Sequence, residues 1–120
     1  ENFSKKLDKT KFSVFVNLSA RVGSITDNRL GGWISYRSSK AALNQIIKTS
    51  SIEINRRNKN AICVGLHPGT VKTRFTEKFQ NTTETISPDK SVKMMMKVVE
   101  NLSVDDNGYC FAYDGKAIPA

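Results

Sequence analysis

Three short apolar runs, separated by two helix-length segments, leave this chain few folds to choose from. Phe12-Ser13-Val14-Phe15-Val16-Asn17-Leu18 is β-branched and aromatic, the composition of a strand. It is apolar at nearly every position, which suits a parallel strand covered on both faces. Residues 61–66 read as a second strand, stopped by His67-Pro68-Gly69. Residues 109–113 read as a third, after the turn formers Asp105-Asp106-Asn107-Gly108. Between the first two strands, residues 34–58 turn helical. Ala41, Ala42, Leu43, Ile46, Ile47, Ser50 and Ile54 recur at three- and four-residue spacing, a stripe expected to face the core. Ser87-Pro88-Asp89 starts a second helix with a hydroxyl cap, a first-turn proline and a carboxylate. Its expected buried face is Val92, Met95, Met96, Val99 and Leu102. Strand, helix, strand, helix, strand makes two βαβ crossovers, so the expected fold class is α/β, three parallel strands flanked by helices. Ligands bind such sheets at the carboxyl ends of the strands. Here those ends are residues 19–24, 67–73 and 114–116.

One pair of side chains sits at that rim. Tyr36 and Lys40 are four residues apart near the start of the first helix, so both leave nearly the same face, one turn apart. A free phenol titrates near ~10 and is a poor acid or base at neutral pH. An ammonium group held beside a phenol favours the phenolate, and the couple can then exchange a proton with a carbonyl or alcohol oxygen.

Composition narrows the alternatives. With 120 residues the chain is one domain at most, and its apolar runs are far shorter than the ~18 residues of a membrane span. The absence of a charged-then-apolar leader points to a cytoplasmic location and no membrane partner. A net charge of +8 raises nucleic-acid binding as a question. The basic residues are scattered, as in Lys5-Lys6, Arg56-Arg57 and Lys90/Lys93/Lys97, without interleaved aromatics, so no nucleic-acid partner is expected. Cys63 and Cys110 lie in strand-like runs and are expected to be buried free thiols. Neither has a partner at metal-ligand spacing, and no metal site is expected. His67, the single histidine, reads as a turn residue with a local hydrogen bond.

With these residues placed, the chain resembles the C-terminal half of a short-chain dehydrogenase/reductase, from Phe12 to Pro119. Asn17-Leu18-Ser19-Ala20-Arg21-Val22-Gly23-Ser24 is similar to the strand end that precedes the family's catalytic helix. Tyr36-x-x-x-Lys40 with Ala41-Ala42-Leu43-Asn44 resembles that helix. Pro68-Gly69-Thr70-Val71-x-Thr73 resembles the nicotinamide-side loop. Ala112-Tyr113-Asp114-Gly115 with Ile118-Pro119 is similar to the C-factor and sniffer-type carbonyl reductase branch.

The resemblance implies half of a Rossmann-type doubly wound sheet and an NAD(P)-dependent oxidoreductase interconverting a small carbonyl and an alcohol. NADP is slightly favoured over NAD. Tyr36 would be the acid or base, and Lys40 would hold the nicotinamide ribose as well as assist Tyr36. Pro68, Gly69, Val71 and Thr73 would hold the nicotinamide amide and nearby phosphate. Residues 74–86 would be a lid, and a homo-oligomer through the Tyr36 helix is implied.

Two features depart from the family pattern. The place of the substrate-orienting serine is Ala20, so Ser24 or Ser19 would supply that hydroxyl. No glycine-rich dinucleotide fingerprint follows any strand. Residues 1–120 are therefore expected to be a partial domain lacking the fingerprint half, with an apolar edge on the first strand. The alternative expectation is a non-catalytic truncated or pseudoenzyme interaction domain.

Overall fold

The computed structural model describes residues 4–74, 76 and 85–120. Four strands form one sheet in the order β1 (Ser13–Leu18), β2 (Ala61–His67), β3 (Cys110–Ala112), β4 (Ala117–Ile118). β1 pairs parallel to β2 and β2 parallel to β3, as the crossovers require. Helix α1 (Ile34–Arg57) joins β1 to β2, and α2 (Pro88–Glu100) lies between β2 and β3. The sheet is thus mostly parallel, the α/β architecture expected.

The addition is β4. It is two residues long and antiparallel to β3. Gly115, at φ 85°, makes the tight turn between them, and Ala112 donates its amide to the Lys116 carbonyl. Two residues give no period to detect, so only the pairing reveals this strand.

Burial is uneven. Ala61, Ile62, Cys63 and Val64 of β2 are fully buried, because β2 has a strand on each side and α1 across one face. Ile47 and Ile54 of α1 join Ala61 and Cys63 in the core. The β1 residues 13–17 are only half-buried and Leu18 is exposed. Among the described residues β1 has a neighbour on one side only.

Both helix stripes shift from expectation. On α1, Ile47, Ser51 and Ile54 are buried, whereas Ile46 is 59% exposed. On α2, Val92 and Met96 are also exposed, and the one fully buried side chain is Ser91. Ser91 Oγ donates to the Pro68 carbonyl at 2.7 Å, so this helix start is fastened by a hydrogen bond rather than by apolar packing. Its cap forms as the sequence predicts: Ser87 Oγ accepts from the Lys90 amide and Pro88 is the first helical residue. Both cysteines are free thiols; Cys63 is buried and Cys110 half-buried. Burial raises the pKa of each, opposed at Cys63 by a contact from Asn17.

Candidate active site

The loop from β1 to α1 ends in three consecutive left-handed residues, Gly31, Gly32 and Trp33. Two glycines take that conformation at no steric penalty; Trp33, at φ 54°, does not. Arg37 braces the turn. Its Nε donates to the carbonyls of Gly31 and Gly32 at 3.2 and 2.9 Å, and its Nη1 to Val22 at 3.4 Å. The first turn of α1 is thereby delivered to the rim of the sheet in a defined orientation.

Tyr36 stands in that turn, half-buried, its ring centroid 6.2 Å from that of Trp33. Lys40 Nζ lies 5.8 Å from the Tyr36 ring centroid and donates to the Leu18 carbonyl at 3.3 Å. Leu18 is the last residue of β1, so the ammonium group spans from the phenol to a strand's carboxyl end. Phenol and ammonium share one face at one end of the sheet.

The serines beside them are occupied within the protein. Ser19 is buried; its Oγ donates to Asn44 Oδ1 at 2.6 Å. Ser24 is buried too; its Oγ accepts from the Asp27 amide at 3.0 Å and donates to the Ala120 carbonyl at 3.3 Å. Ala20, between them, is buried with no hydroxyl to offer.

The second wall follows β2. Gly69 has φ 80°, and a Cβ there would lie 2.9 Å from two ring carbons of Tyr113 and 3.0 Å from Ile86 Cδ1. Only glycine fits that cradle. Val71 bridges to Ile86, while the Thr70 carbonyl accepts from the Ile86 amide. Thr73 donates its amide to Thr76 Oγ1 at 2.9 Å, and Thr76 Oγ1 donates to the Val71 carbonyl at 2.6 Å. Pro68, Gly69, Val71 and Thr73 are therefore one closed loop at the carboxyl end of β2. Of the expected lid, residues 75 and 77–84 lie outside the described residues.

His67 differs from expectation. It is the last residue of β2, paired with Ala112, which turns its ring edge-on to Tyr113. Its Nδ1 is buried and has no hydrogen-bond partner among the described residues. Burial lowers its pKa; Arg21 lowers it further and Asp114 opposes. A buried polar atom without a partner at this rim suits a bound group that supplies a hydrogen bond. Sequence reasoning also missed Arg37, Asn44 and Thr76. Only Asn44 carried a signal, as the last residue of the Ala41-Ala42-Leu43-Asn44 run that follows Lys40.

No protein-family model matches the chain. It is 35% identical to an uncharacterized oxidoreductase of Schizosaccharomyces pombe over 98% of the chain and 51% of that protein. It is 33% identical to the C-signal protein of Myxococcus xanthus over 86% of the chain and 58% of that protein. The carbonyl reductase Sniffer of Drosophila melanogaster superposes with a TM-score of 0.78 at 31% identity, covering 89% of the chain and 41% of that structure. An NADPH-bound carbonyl reductase from chicken fatty liver superposes with a TM-score of 0.74 at 38% identity, covering 89% and 42%. The chain thus spans about half the length of the curated relatives it matches.

Proposed function

Because the chain belongs to the short-chain dehydrogenase/reductase family, we propose that it carries the proton-transfer half of an NAD(P)-dependent carbonyl reductase. The observation that supports this most is Lys40, whose ammonium group lies 5.8 Å from the Tyr36 ring while bonded to the Leu18 carbonyl. Held there, it stabilises negative charge on the phenol oxygen as a proton leaves Tyr36 for a substrate oxygen. Tyr36 is the acid in reduction and the base in oxidation.

A bound NADP or NAD supplies the hydride. The loop of Pro68, Gly69, Val71 and Thr73, which leaves the carboxyl end of β2, would hold its nicotinamide end. NADP is favoured because the chicken carbonyl reductase holds NADPH. The substrate is a small carbonyl compound or alcohol, admitted beside Tyr36. A homo-oligomer through α1 rests on the family resemblance.

The test is NADPH oxidation by the full-length protein with carbonyl substrates. Turnover is expected, and Tyr36→Phe should abolish it. Wild-type rates in that variant would sink the mechanism. A second reading, a non-catalytic interaction domain, is favoured by Ala20 and by the internal commitment of the Ser19 and Ser24 hydroxyls. It predicts no turnover in the full-length protein with any carbonyl compound, and unchanged partner binding in Tyr36→Phe.

A further inference from the structure

Tyr36, Lys40 and Asn44 occupy three successive turns on one face of α1. Two consecutive residues, Leu18 at the end of β1 and Ser19 after it, bond to the last two of them. The Leu18 carbonyl accepts from Lys40 Nζ at 3.3 Å, and Ser19 Oγ donates to Asn44 Oδ1 at 2.6 Å. The Ser19 amide is meanwhile fixed to the Leu66 carbonyl of β2 at 2.8 Å. Asn44 Oδ1 also receives Cys110 Sγ of β3 at 3.5 Å. One side chain of the helix therefore touches the ends of the sheet on both sides of β2.

Gly23 closes the arrangement. A Cβ there would stand 2.7 Å from the Lys40 carbonyl carbon and 2.9 Å from Asn44 Nδ2. The turn after β1 thus presses on the helix backbone where Lys40 leaves it. A helix free to slide along a sheet would vary the height of Lys40 against the rim; this one is pinned one turn further on.

We propose that Asn44 is a positioning residue that sets the height and rotation at which α1 presents Tyr36 and Lys40 to the rim. The inference rests on the reductase reading for its effect on turnover, but not for its geometry. Ser19 acts in it as the tether's donor rather than as a substrate ligand. A misplacement of about 1 Å at a reacting group costs on the order of a hundredfold in rate.

The experiment uses the full-length protein with Asn44→Leu, Asn44→Asp, Ser19→Ala and the Ser19→Ala/Asn44→Leu double variant. Asn44→Leu keeps the branched shape of the side chain and removes the acceptor; Asn44→Asp keeps an acceptor oxygen. The readouts are kcat and KM for NADPH, the pH profile of kcat, and the fluorine resonance of 3-fluorotyrosine placed at position 36. Asn44→Leu should lower kcat about ten- to a hundredfold, with KM for NADPH little changed and the pH profile displaced. Asn44→Asp should recover most of the loss. The double variant should be no worse than Asn44→Leu, since both changes cut one bond.

A lower melting temperature with unchanged kcat, pH profile and resonance would overturn the proposal. So would strict additivity of the two single changes. Should the unmutated protein show no turnover, the reductase reading fails while the fluorine resonance still decides. It supports the tether if Asn44→Leu and Ser19→Ala both move it, and overturns it if neither does. If Asn44→Leu does not fold, Ser19→Ala alone carries the same two outcomes.

Discussion

β1 and β2 are neighbours with matching residues and opposite surroundings. Val16 pairs with Val64 and Leu18 with Leu66 across one parallel ladder. Val64 is fully buried and Leu66 is 2% exposed, whereas Val16 is half-buried and Leu18 is 59% exposed. Composition makes both segments strands, but it does not decide how much water each excludes. Position in the sheet does: β2 is interior, and β1 is an edge among the described residues. The difference also separates two tasks. β2 anchors the core, and the end of β1 offers a carbonyl and a hydroxyl to the helix that carries Tyr36 and Lys40.

The sharpest way to break this contrast is to place the same charge at both members of one pair. Leu66→Lys should cost more than about 4 kcal/mol, because an unpaired ammonium group would be buried. Leu18→Lys should stay within about 0.5 kcal/mol. Chemical denaturation measures both, and a severe loss in Leu18→Lys would show that β1 is not an edge. Truncation gives a gentler version. Val64→Ala should cost about 2 kcal/mol and Val16→Ala less than about 1. Equal losses would show β1 to be covered as β2 is.

The smallest effect is a pH dependence at the end of β2. His67 has a folded pKa held below the ordinary histidine value, first by burial and then by Arg21. Between those two values the unfolded chain binds more protons, so stability should be complete above the ordinary value and decline as the pH falls through the folded one. Denaturation midpoints measured from pH 7.5 to pH 5 should show this decline, and His67→Gln should remove it. An identical slope in that variant would assign the dependence to other groups.

Much of the fold was legible because local chemistry specifies it. The start of α2 is written in Ser87-Pro88-Asp89, and the start and end of α1 fall within a residue of the periodic segment. That Tyr36 and Lys40 share a face was legible from spacing, since four residues on a helix bring two side chains together wherever that helix lies, whereas their assigned roles came from the resemblance. What the spacing could not supply was the Leu18 carbonyl that Lys40 reaches, 22 residues away in sequence. The exposure of Ile46 escaped for a related reason: periodicity names a stripe, but the neighbouring strand decides which edge of it is covered. His67 was placed in a turn because Pro68-Gly69 follows it, yet pairing with Ala112 extends β2 through it.

By itself, then, the sequence determined the order of strands and helices, the cap of α2 and the one-turn separation of a phenol and an amine. These depend on residues a few positions apart, where backbone geometry leaves little choice. Only the tertiary structure decided that β4 closes a hairpin and that Ser19 and Ser24 spend their hydroxyls inside the protein. Each of those outcomes depends on partners far along the chain, and which partner arrives is set by the packing of whole elements rather than by any local pattern.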